Sequence, residues 1–401
     1  MVDSNTEVVV AGHICLDIIP TIREASGGMD RLFSPGKLVD VGAAVTSTGG
    51  AVSNTGIALH RLGVNVRLIG KIGADSFGRT ILDILQGVDP AITKGMIVTE
   101  DEHSSYSIVI SPPGIDRVFL HHTGTNDTFG NSDVSESQLH HARLFHFGYP
   151  PLMQRMHENE GIELQSLFQK VKRAGLTTSL DLAKPDPESV AGRADWIKIL
   201  SNTLPYVDVF LPSFEEILYM LDRSKYDELE SHYGHVLLAA LDSDLLSRLS
   251  DKLIKLGAAV VAIKLGEYGL YMRTSNDCSR IQSMGACAPQ SKEWIGRELL
   301  TPCYQVVVAG TTGAGDCTIA GFLIGLLRGN APHEVLQSAV AVGACNVEQA
   351  DATSGVLPWA AIEQRILNGW KLRSLELQLS DWSYKETLKL WSGPNNIEGD
   401  D

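Results

Sequence analysis

Several features that mark other classes of protein are missing from this 401-residue sequence. No apolar run approaches the roughly 20 residues that cross a bilayer. The N-terminus, with Asp3 and Glu7, lacks the basic and then apolar layout of a secretory signal. The formal net charge of −15 opposes binding to nucleic acid and to anionic membranes. We therefore expect a cytoplasmic protein with no nucleic-acid partner and no membrane partner.

Cysteine is also scarce, and its pattern excludes two kinds of site. The six cysteines contain no CxxC pair, so a disulfide framework and a cysteine-based metal site are both disfavoured, and reduced thiols are expected. The adjacent pairs His121-His122 and His140-His141 would point to opposite faces of a strand. Metal binding by either pair is therefore disfavoured as well.

What the sequence does contain is a regular alternation of apolar strands and helices. Apolar residues make up 44% of the chain, enough for a large core. Residues 8–11 read as a buried parallel strand, and further strands are predicted at 64–69, 144–148, 178–181, 207–211 and 258–265. This rhythm predicts an α/β protein with a mostly parallel sheet covered by helices on both faces. No GxGxxG follows the first strand, which argues against a dinucleotide site.

Two other segments interrupt the alternation. Residues 22–47 and 105–122 are rich in turn residues and short alternating runs, which predicts a small separate β-sheet. We expect one domain over residues 1–392 with these segments inserted in it. Residues 278–300 are expected to be a surface elaboration, and the acidic tail 393–401 is expected to be disordered.

The most informative stretch is GTTGAGD at residues 310–316, which leads directly into an apolar helix. Glycines let an anion approach the backbone, and the N–H groups at a helix start attract it. Asp316 is a poor phosphate ligand at this place, but it is well placed to take a proton from a hydroxyl that attacks a bound phosphoryl group. The alternative is an ordinary first-turn acid that favours the helix dipole.

A second glycine pair supports a specific comparison. Gly49-Gly50 and Asn54 precede an amphipathic helix, and with the 310–316 stretch the chain resembles the ribokinase-like, or PfkB, carbohydrate kinases over about residues 8–367. The resemblance implies a three-layer α/β/α sandwich with a mostly parallel central sheet and a small β-sheet lid. It also implies ATP-dependent phosphorylation of a primary hydroxyl of a sugar or sugar acid, with Mg²⁺.

The resemblance also implies roles for individual residues. Asp316 is similar to the catalytic base, and the backbone of Gly313, Ala314, Gly315 and Asp316 to the anion hole. The implied acceptor ligands are Asp17, Gly49, Gly50 and Asn54, and the implied nucleotide-side residues are Lys264, Gly266, Glu267, Gly269 and Thr311. Glu216 would help to hold Mg²⁺ through water.

Each of these roles has a structural alternative. Asp17 is otherwise a solvated acid at a strand end, Asn54 a helix cap, and Glu216 an exposed first-turn acid. The segment from Lys264 to Gly269 is otherwise a plain hairpin turn.

Three positions depart from the family pattern, and several functions stay open. Gly310 replaces an acidic residue that helps to shape a monovalent-cation site in the family, which leaves potassium dependence open. Ser213 replaces Asn, and Lys264 stands where many members carry Thr. A nucleoside kinase and a non-catalytic sugar sensor are the alternatives, and no stacking aromatic pair is evident beside Asp17 or Asn54. Family lids often pair between subunits, which implies a homodimer through the lid.

Overall fold

The computed structural model describes residues 6–22, 34–113, 117–234 and 236–397. Its strands, in chain order, are β1 (Val8–Gly12), β2 (Cys15–Pro20), β3 (Ala44–Gly49), β4 (Val66–Ile69), β5 (Lys71–Gly73), β6 (Ile97–Thr99), β7 (Tyr106–Ile110), β8 (Val118–His122), β9 (Leu144–Gly148), β10 (Thr177–Asp181), β11 (Val209–Phe210), β12 (Val260–Lys264), β13 (Leu270–Thr274), β14 (Glu298–Thr301), β15 (Ser383–Lys385) and β16 (Leu390–Ser392).

The helices surround these strands. In chain order they are α1 (Ala51–Arg61), α2 (Ser76–Val88), α3 (Glu136–Leu139), α4 (Gln154–His157), α5 (Ile162–Arg173), α6 (Trp196–Thr203), α7 (Phe214–Leu221), α8 (Arg223–Tyr233), α9 (Ser243–Lys255), α10 (Cys278–Gln282), α11 (Ala314–Leu327), α12 (Pro332–Asn346) and α13 (Trp359–Leu367). Within the described ranges, each helix is too short or too polar to span a bilayer.

A ten-stranded sheet forms the middle layer, in the order β15-β16-β14-β13-β12-β11-β10-β9-β1-β4. The six strands from β4 to β12 pair in parallel, and β13, β14, β16 and β15 extend the sheet with antiparallel pairs. The predicted mostly parallel α/β fold is confirmed.

The two faces of this sheet explain its continuous apolar strands. Val8 and Val10 pack in one core cluster with residues of α1, α11 and α12, whereas Val9 and Ala11 pack in a second cluster with residues of α5, α7 and α9. Successive side chains of a strand point to opposite faces, so a strand covered on both sides is apolar throughout. Helix α11 is buried along almost its whole length, which accounts for its uninterrupted apolar sequence.

The small separate sheet has the order β3-β2-β7-β8. It uses strand β2, which the sequence did not assign to it, and the predicted segment 22–47 contributes β3, which begins at Ala44. Residues 23–33 and 114–116 of the two predicted segments lie outside the described residues. Asp17 lies within β2, so it belongs to the small sheet rather than to the end of a main-sheet strand.

Two expectations about the C-terminal third need correction. Residues 278–300 are not only a surface elaboration, because Trp294 is buried and β14 pairs within the main sheet. The expected disordered tail begins with ordered residues: Asn395 and Asn396 hydrogen-bond to Glu298, and the Ile397 N–H donates to the Gly296 carbonyl. Glu298 is fully buried, and these partners, with Tyr271, satisfy its polar groups. Residues 398–401 lie outside the described part.

Candidate active site

Asp316 lies in the first turn of α11, where a glycine turn brings the backbone into the helix. Gly313 precedes the helix with φ 70°, and a Cβ atom at this position would lie 2.3 Å from the Ala352 carbonyl oxygen. The turn therefore requires glycine both for its backbone conformation and for the close approach of a neighbouring loop. The N–H groups of Ala314, Gly315 and Asp316 belong to the first helical turn, where they have no intrahelical acceptors.

The Asp316 carboxylate is buried and surrounded by hydrogen-bond donors. The Asn54 amide donates to it at 3.0 Å, and the Tyr149 hydroxyl lies 2.9 Å from both carboxylate oxygens. The Thr55 hydroxyl adds a longer contact of 3.4 Å. Burial raises the pKa of Asp316, and the donors and the Lys264 ammonium oppose that shift. The side chain, 4% exposed, is therefore unlike an ordinary solvent-facing first-turn acid.

Tyr149 is a site residue that the sequence did not reveal. It has left-handed backbone angles (φ 67°, ψ 42°) although it is not glycine and precedes Pro150, where an extended backbone is the rule. Burial and then the charge of Asp316 raise the pKa of the Tyr149 phenol, which keeps it protonated as a donor. Strained backbone of this kind is concentrated at functional sites.

The predicted acceptor ligands lie around one cavity of about 880 Å³. Asp17, Gly50 and Asn54 line it together with Gly313 and Asp316. Gly49 is not among the lining residues, but a Cβ atom there would lie 2.3 Å from an Asp17 carboxylate oxygen, so this position leaves room for the Asp17 side chain. Asn54 is not the cap of α1, since Gly50 precedes the helix and the Asn54 amide instead bonds to Asp316.

The small sheet contributes further residues to this cavity. Arg117, Phe119 and His121 line it, and Arg117 donates hydrogen bonds to the hydroxyls of Thr311 and Thr312 beside the glycine turn. Together with Tyr149, these side chains bring aromatic rings to a region where the sequence offered no stacking pair. Residues distant in sequence supply them, so sequence spacing carried no signal for the contact.

The predicted nucleotide-side residues line a second cavity of about 300 Å³. Lys264, Gly266, Glu267, Gly269 and Thr311 all contact it. The 264–269 segment forms the turn of the β12–β13 hairpin and also lines this cavity. The interpretation as a hairpin turn and the predicted place on the nucleotide side are therefore compatible. Apolar side chains that the sequence analysis did not identify complete the wall: Tyr304, Val306, Val308, Val340, Ala344 and Val347. Arg373, which pairs with Glu267 at 2.9 Å, lies at the same cavity.

A buried ion pair between Lys264 and Asp181 lies beside the second cavity. Lys264 Nζ lies 2.6 Å from Asp181 Oδ1, whereas Asp181 Oδ2 is buried and has no hydrogen-bond partner among the described residues. Burial raises the pKa of Asp181, and the Lys264 ammonium opposes that shift. Glu216 lies nearby and closes a capping box by accepting from the Ser213 N–H at 2.7 Å, so it is not a free surface acid. Asp181 ends a buried parallel strand, which is the position where ligands of open α/β sheets bind.

Gly310 lies against another part of the chain. A Cβ atom there would be 2.9 Å from both the Cα and the carbonyl oxygen of Ala350. An acidic side chain at this position would require the 350–352 loop to move. The absence of a carboxylate at residue 310 thus matches the local packing.

The arrangement places the Asp316 carboxylate between the cavity of about 880 Å³ and the N-terminal turn of α11. Asp316, Gly313 and Thr311 line the first cavity, which holds the predicted acceptor ligands and which we call the acceptor cavity. A third cavity lies beside it and leads to the second cavity, where the predicted nucleotide-side residues lie. Its lining includes Gly313, Ala314, Gly315, Lys264 and Glu216. A hydroxyl in the first cavity and a phosphoryl group at the glycine turn would therefore meet at Asp316. This geometry suits proton abstraction coupled to phosphoryl transfer.

The chain is similar in sequence to carbohydrate kinases. The model for "pfkB family carbohydrate kinase" matches residues 5–360. An uncharacterized sugar kinase of Archaeoglobus fulgidus is 24% identical over 293 residues, which is 73% of this chain and 95% of that protein. A probable fructokinase-7 of Arabidopsis thaliana is 25% identical over 220 residues, which is 51% of this chain and 60% of that protein.

Solved structures share the fold at low sequence identity. Arabidopsis thaliana ribokinase complexed with ribose and ATP superposes with a TM-score of 0.67 and 17% identity, covering 90% of this chain and 98% of the other. A putative ribokinase II from E. coli in complex with ATP and Mg²⁺ gives a TM-score of 0.65 and 20% identity, covering 90% and 99%. Fructokinase of Xylella fastidiosa with bound ATP gives 0.66 and 16%, covering 90% and 98%.

Proposed function

Because this chain belongs to the pfkB family of carbohydrate kinases and is therefore an ATP-dependent carbohydrate kinase, we propose that it phosphorylates a primary hydroxyl of a sugar or sugar acid, with Asp316 as the base. The observation that carries this proposal is the position of the Asp316 carboxylate between the acceptor cavity and the glycine turn. In this scheme Asp316 takes the hydroxyl proton as the oxygen attacks the γ-phosphoryl group of ATP. The N–H groups of residues 313–316 form the anion hole.

The acceptor class follows from the groups around the acceptor cavity. Asp17 and Asn54 offer a carboxylate and an amide to a polyol, and both groups make directional hydrogen bonds. Arg117 and Lys184 line the same cavity, and their positive charge suits a carboxylate on the acceptor. The carboxylates of Asp17, Asp127, Asp186 and Asp316 line the cavity as well, so the proposed acceptor class includes both neutral sugars and sugar acids.

The nucleotide and its metal have matching residues on the other side. Lys264, Gly266, Glu267, Gly269 and Thr311 would hold the nucleotide. The buried Asp181 oxygen without a partner and the Glu216 carboxylate fit a hydrated Mg²⁺, because hard cations of this kind prefer oxygen ligands. Magnesium would neutralise charge on the phosphate oxygens, and Lys264 would add a fixed ammonium beside Gly315.

The small sheet is proposed to act as a lid and as a dimer contact. Phe119 and His121 reach into the acceptor cavity, so this sheet would exclude water from the phosphoryl group. Val45 and Leu120 are 58% and 47% exposed, which supports pairing with the lid of a second copy. Sedimentation of the full chain as a dimer, and of Val45→Arg as a monomer, is expected. A wild-type monomer at micromolar concentration would contradict the dimer.

The central test combines a ligand screen with one substitution. Sugars, sugar acids and nucleosides are first screened for thermal stabilisation, and the hits are then assayed for ATP consumption. Asp316→Asn is expected to lower kcat by about 10²–10⁴-fold while acceptor and ATP still bind. Asp89→Asn is the matched control, because Asp89 caps a turn far from the site and Asn caps as well as Asp does.

Each outcome of this test separates the candidate functions. Phosphorylation of a sugar or sugar acid that depends on Asp316 supports the proposal, and near-normal turnover by Asp316→Asn removes the base assignment. Turnover of nucleosides alone would favour the nucleoside kinase, for which Phe119 and Tyr149 supply aromatic rings at the cavity. Stabilisation by a ligand without any ATP consumption would favour the non-catalytic sensor.

A further inference from the structure

Three metal-ligating side chains converge where the small sheet meets the main sheet. His13 follows β1, Cys15 begins β2, and His121 lies on β8. Their candidate ligand atoms all lie within 4.8 Å of one another. The side chains come from three separate elements, so the cluster does not depend on neighbours in sequence. All three line the acceptor cavity described above.

The spacing of the two imidazoles matches a tetrahedral metal. The His13 and His121 Nε2 atoms are 3.3 Å apart. Two nitrogens bound to one zinc ion at about 2.0–2.1 Å in tetrahedral geometry would be about 3.3 Å apart. A zinc-bound sulfur at about 2.3 Å would lie about 3.6 Å from each nitrogen. The Cys15 sulfur lies within 4.8 Å of one ring nitrogen of each histidine, so a small shift of side chains would bring it into the coordination sphere.

A neighbouring group orients one of the two rings, that of His121, as a ligand. The His121 Nδ1 atom lies 3.0 Å from the Ser107 hydroxyl, a contact that fixes the ring and leaves Nε2 facing His13. His13 is buried, and its Nδ1 has no hydrogen-bond partner in the part of the chain that the structure describes. A buried neutral imidazole with a lone pair on Nε2 is the form that binds metals.

We propose that His13 Nε2, His121 Nε2 and the Cys15 thiolate form a zinc-binding site, with the fourth coordination position open to the cavity. The Cys15 thiol releases its proton to solvent when the ion binds. The site ties strand β8 of the lid to the connection between β1 and β2. The Cys15 sulfur is 3.4 Å from Asp17 Oδ1, so the bound ion occupies space beside a proposed acceptor ligand. We therefore expect bound zinc to compete with the acceptor. This expectation rests on the proposed function, whereas the zinc site itself does not.

The adjacent histidines of β8 explain why the sequence argued against a metal here. His121 and His122 do point to opposite faces: His121 meets His13, whereas the His122 ring lies 5.5 Å from that of Tyr106. They cannot chelate one ion together. Strand pairing instead brings one of them to a histidine and a cysteine more than 100 residues earlier in the chain.

The test uses metal-free full-length protein without substrates. Cobalt(II) titration is expected to give the intense visible bands of a tetrahedral ion and a thiolate-to-cobalt charge-transfer band, at one ion per chain. Zinc should displace the cobalt. Cys15→Ser and His121→Gln are expected to weaken zinc binding by more than about 100-fold and to remove the charge-transfer band or the tetrahedral spectrum. Ser107→Ala should weaken it by about 10–100-fold through the orientation of His121.

Matched controls distinguish this site from adventitious binding. His122→Gln changes the neighbouring histidine on the opposite face, and Cys278→Ser changes an exposed cysteine. Both are expected to keep the wild-type cobalt spectrum and zinc affinity. The thermal stability of each metal-free variant shows whether it has folded, and the wild-type spectrum does not depend on any variant.

Defined results would overturn the proposal. A wild-type cobalt spectrum without tetrahedral or thiolate bands overturns it, as does equal zinc binding by wild type, Cys15→Ser and His121→Gln. Failure here is distinguishable from failure of the proposed function. Zinc binding by a chain whose zinc-free form phosphorylates no acceptor supports the site and removes the proposed kinase chemistry, whereas phosphorylation by a chain that binds no zinc removes only the site.

Discussion

Removing the Tyr149 hydroxyl tests the electrostatics of the proposed base directly. The phenol donates to the buried Asp316 carboxylate and therefore stabilises its ionised form. Burial raises the pKa of Asp316, and the Tyr149 hydrogen bond is one of the interactions that hold it down. Tyr149→Phe removes that donor while keeping the ring, so the pKa of Asp316 should rise further. A base must be ionised to act, so activity should be lost first at low pH.

The expected size of the shift follows from the geometry. The phenol carries one proton, so its two 2.9 Å distances to the carboxylate oxygens count as one shared hydrogen bond. A hydrogen bond to a charged group contributes about 1.5–3 kcal/mol, and one pKa unit corresponds to about 1.4 kcal/mol. The acid limb of kcat/KM should therefore move to higher pH by about 1–2 units. The plateau at high pH should change much less than the rate at low pH.

The assay is the pH profile of kcat/KM for the acceptor, which reports the pKa of the free enzyme. Tyr271→Phe is the matched control, because Tyr271 is a buried tyrosine that donates to a buried carboxylate, Glu298, away from the site. It should lower thermal stability without moving the acid limb. An acid limb that stays in place or moves to lower pH in Tyr149→Phe would refute the reasoning.

Three further predictions concern the acceptor, the cation and the nucleotide. Gly49→Ala should raise KM for the acceptor by about 10–150-fold, because the added Cβ atom would displace Asp17. Gly87→Ala is the control: a Cβ atom at this position in α2 meets open space, so KM should stay unchanged. Equal KM values for the two variants would contradict the role of Gly49. Replacing potassium by a large organic cation should leave kcat unchanged, because residue 310 has no carboxylate and packs against Ala350; strong activation by potassium would contradict this. Arg373→Ala should raise KM for ATP. It should change Tm little, because the exposed Arg373–Glu267 ion pair contributes about 0–1 kcal/mol to the free energy of unfolding. An unchanged KM for ATP would place Arg373 outside the nucleotide site.

The sequence predicted the large features because they depend on local patterns. Strand and helix alternation specified the mostly parallel sheet, since residues buried on both faces must be apolar throughout. The glycine turn before α11 was evident because only glycine adopts the backbone of Gly313 at this close approach. Prediction failed where local patterns conflicted with tertiary pairing. Residues 278–300 are rich in turn residues, yet they lead into β14 of the main sheet. The buried Glu298 of β14 accepts a hydrogen bond from the Asn395 N–H, nearly 100 residues later in the chain.

The α/β class, the family resemblance and the short motifs that carry Asp316 and Gly49-Gly50 could therefore be inferred from the order of the residues alone. The surroundings of these motifs depend on how distant segments pack together. Tyr149 reaches Asp316 through backbone angles that its own sequence context disfavours, and Asp181 meets Lys264 across the sheet. His13, Cys15 and His121 come together because β2 pairs with β7 and β7 pairs with β8. Contacts of this kind depend on strand register between distant segments, which a single sequence does not display.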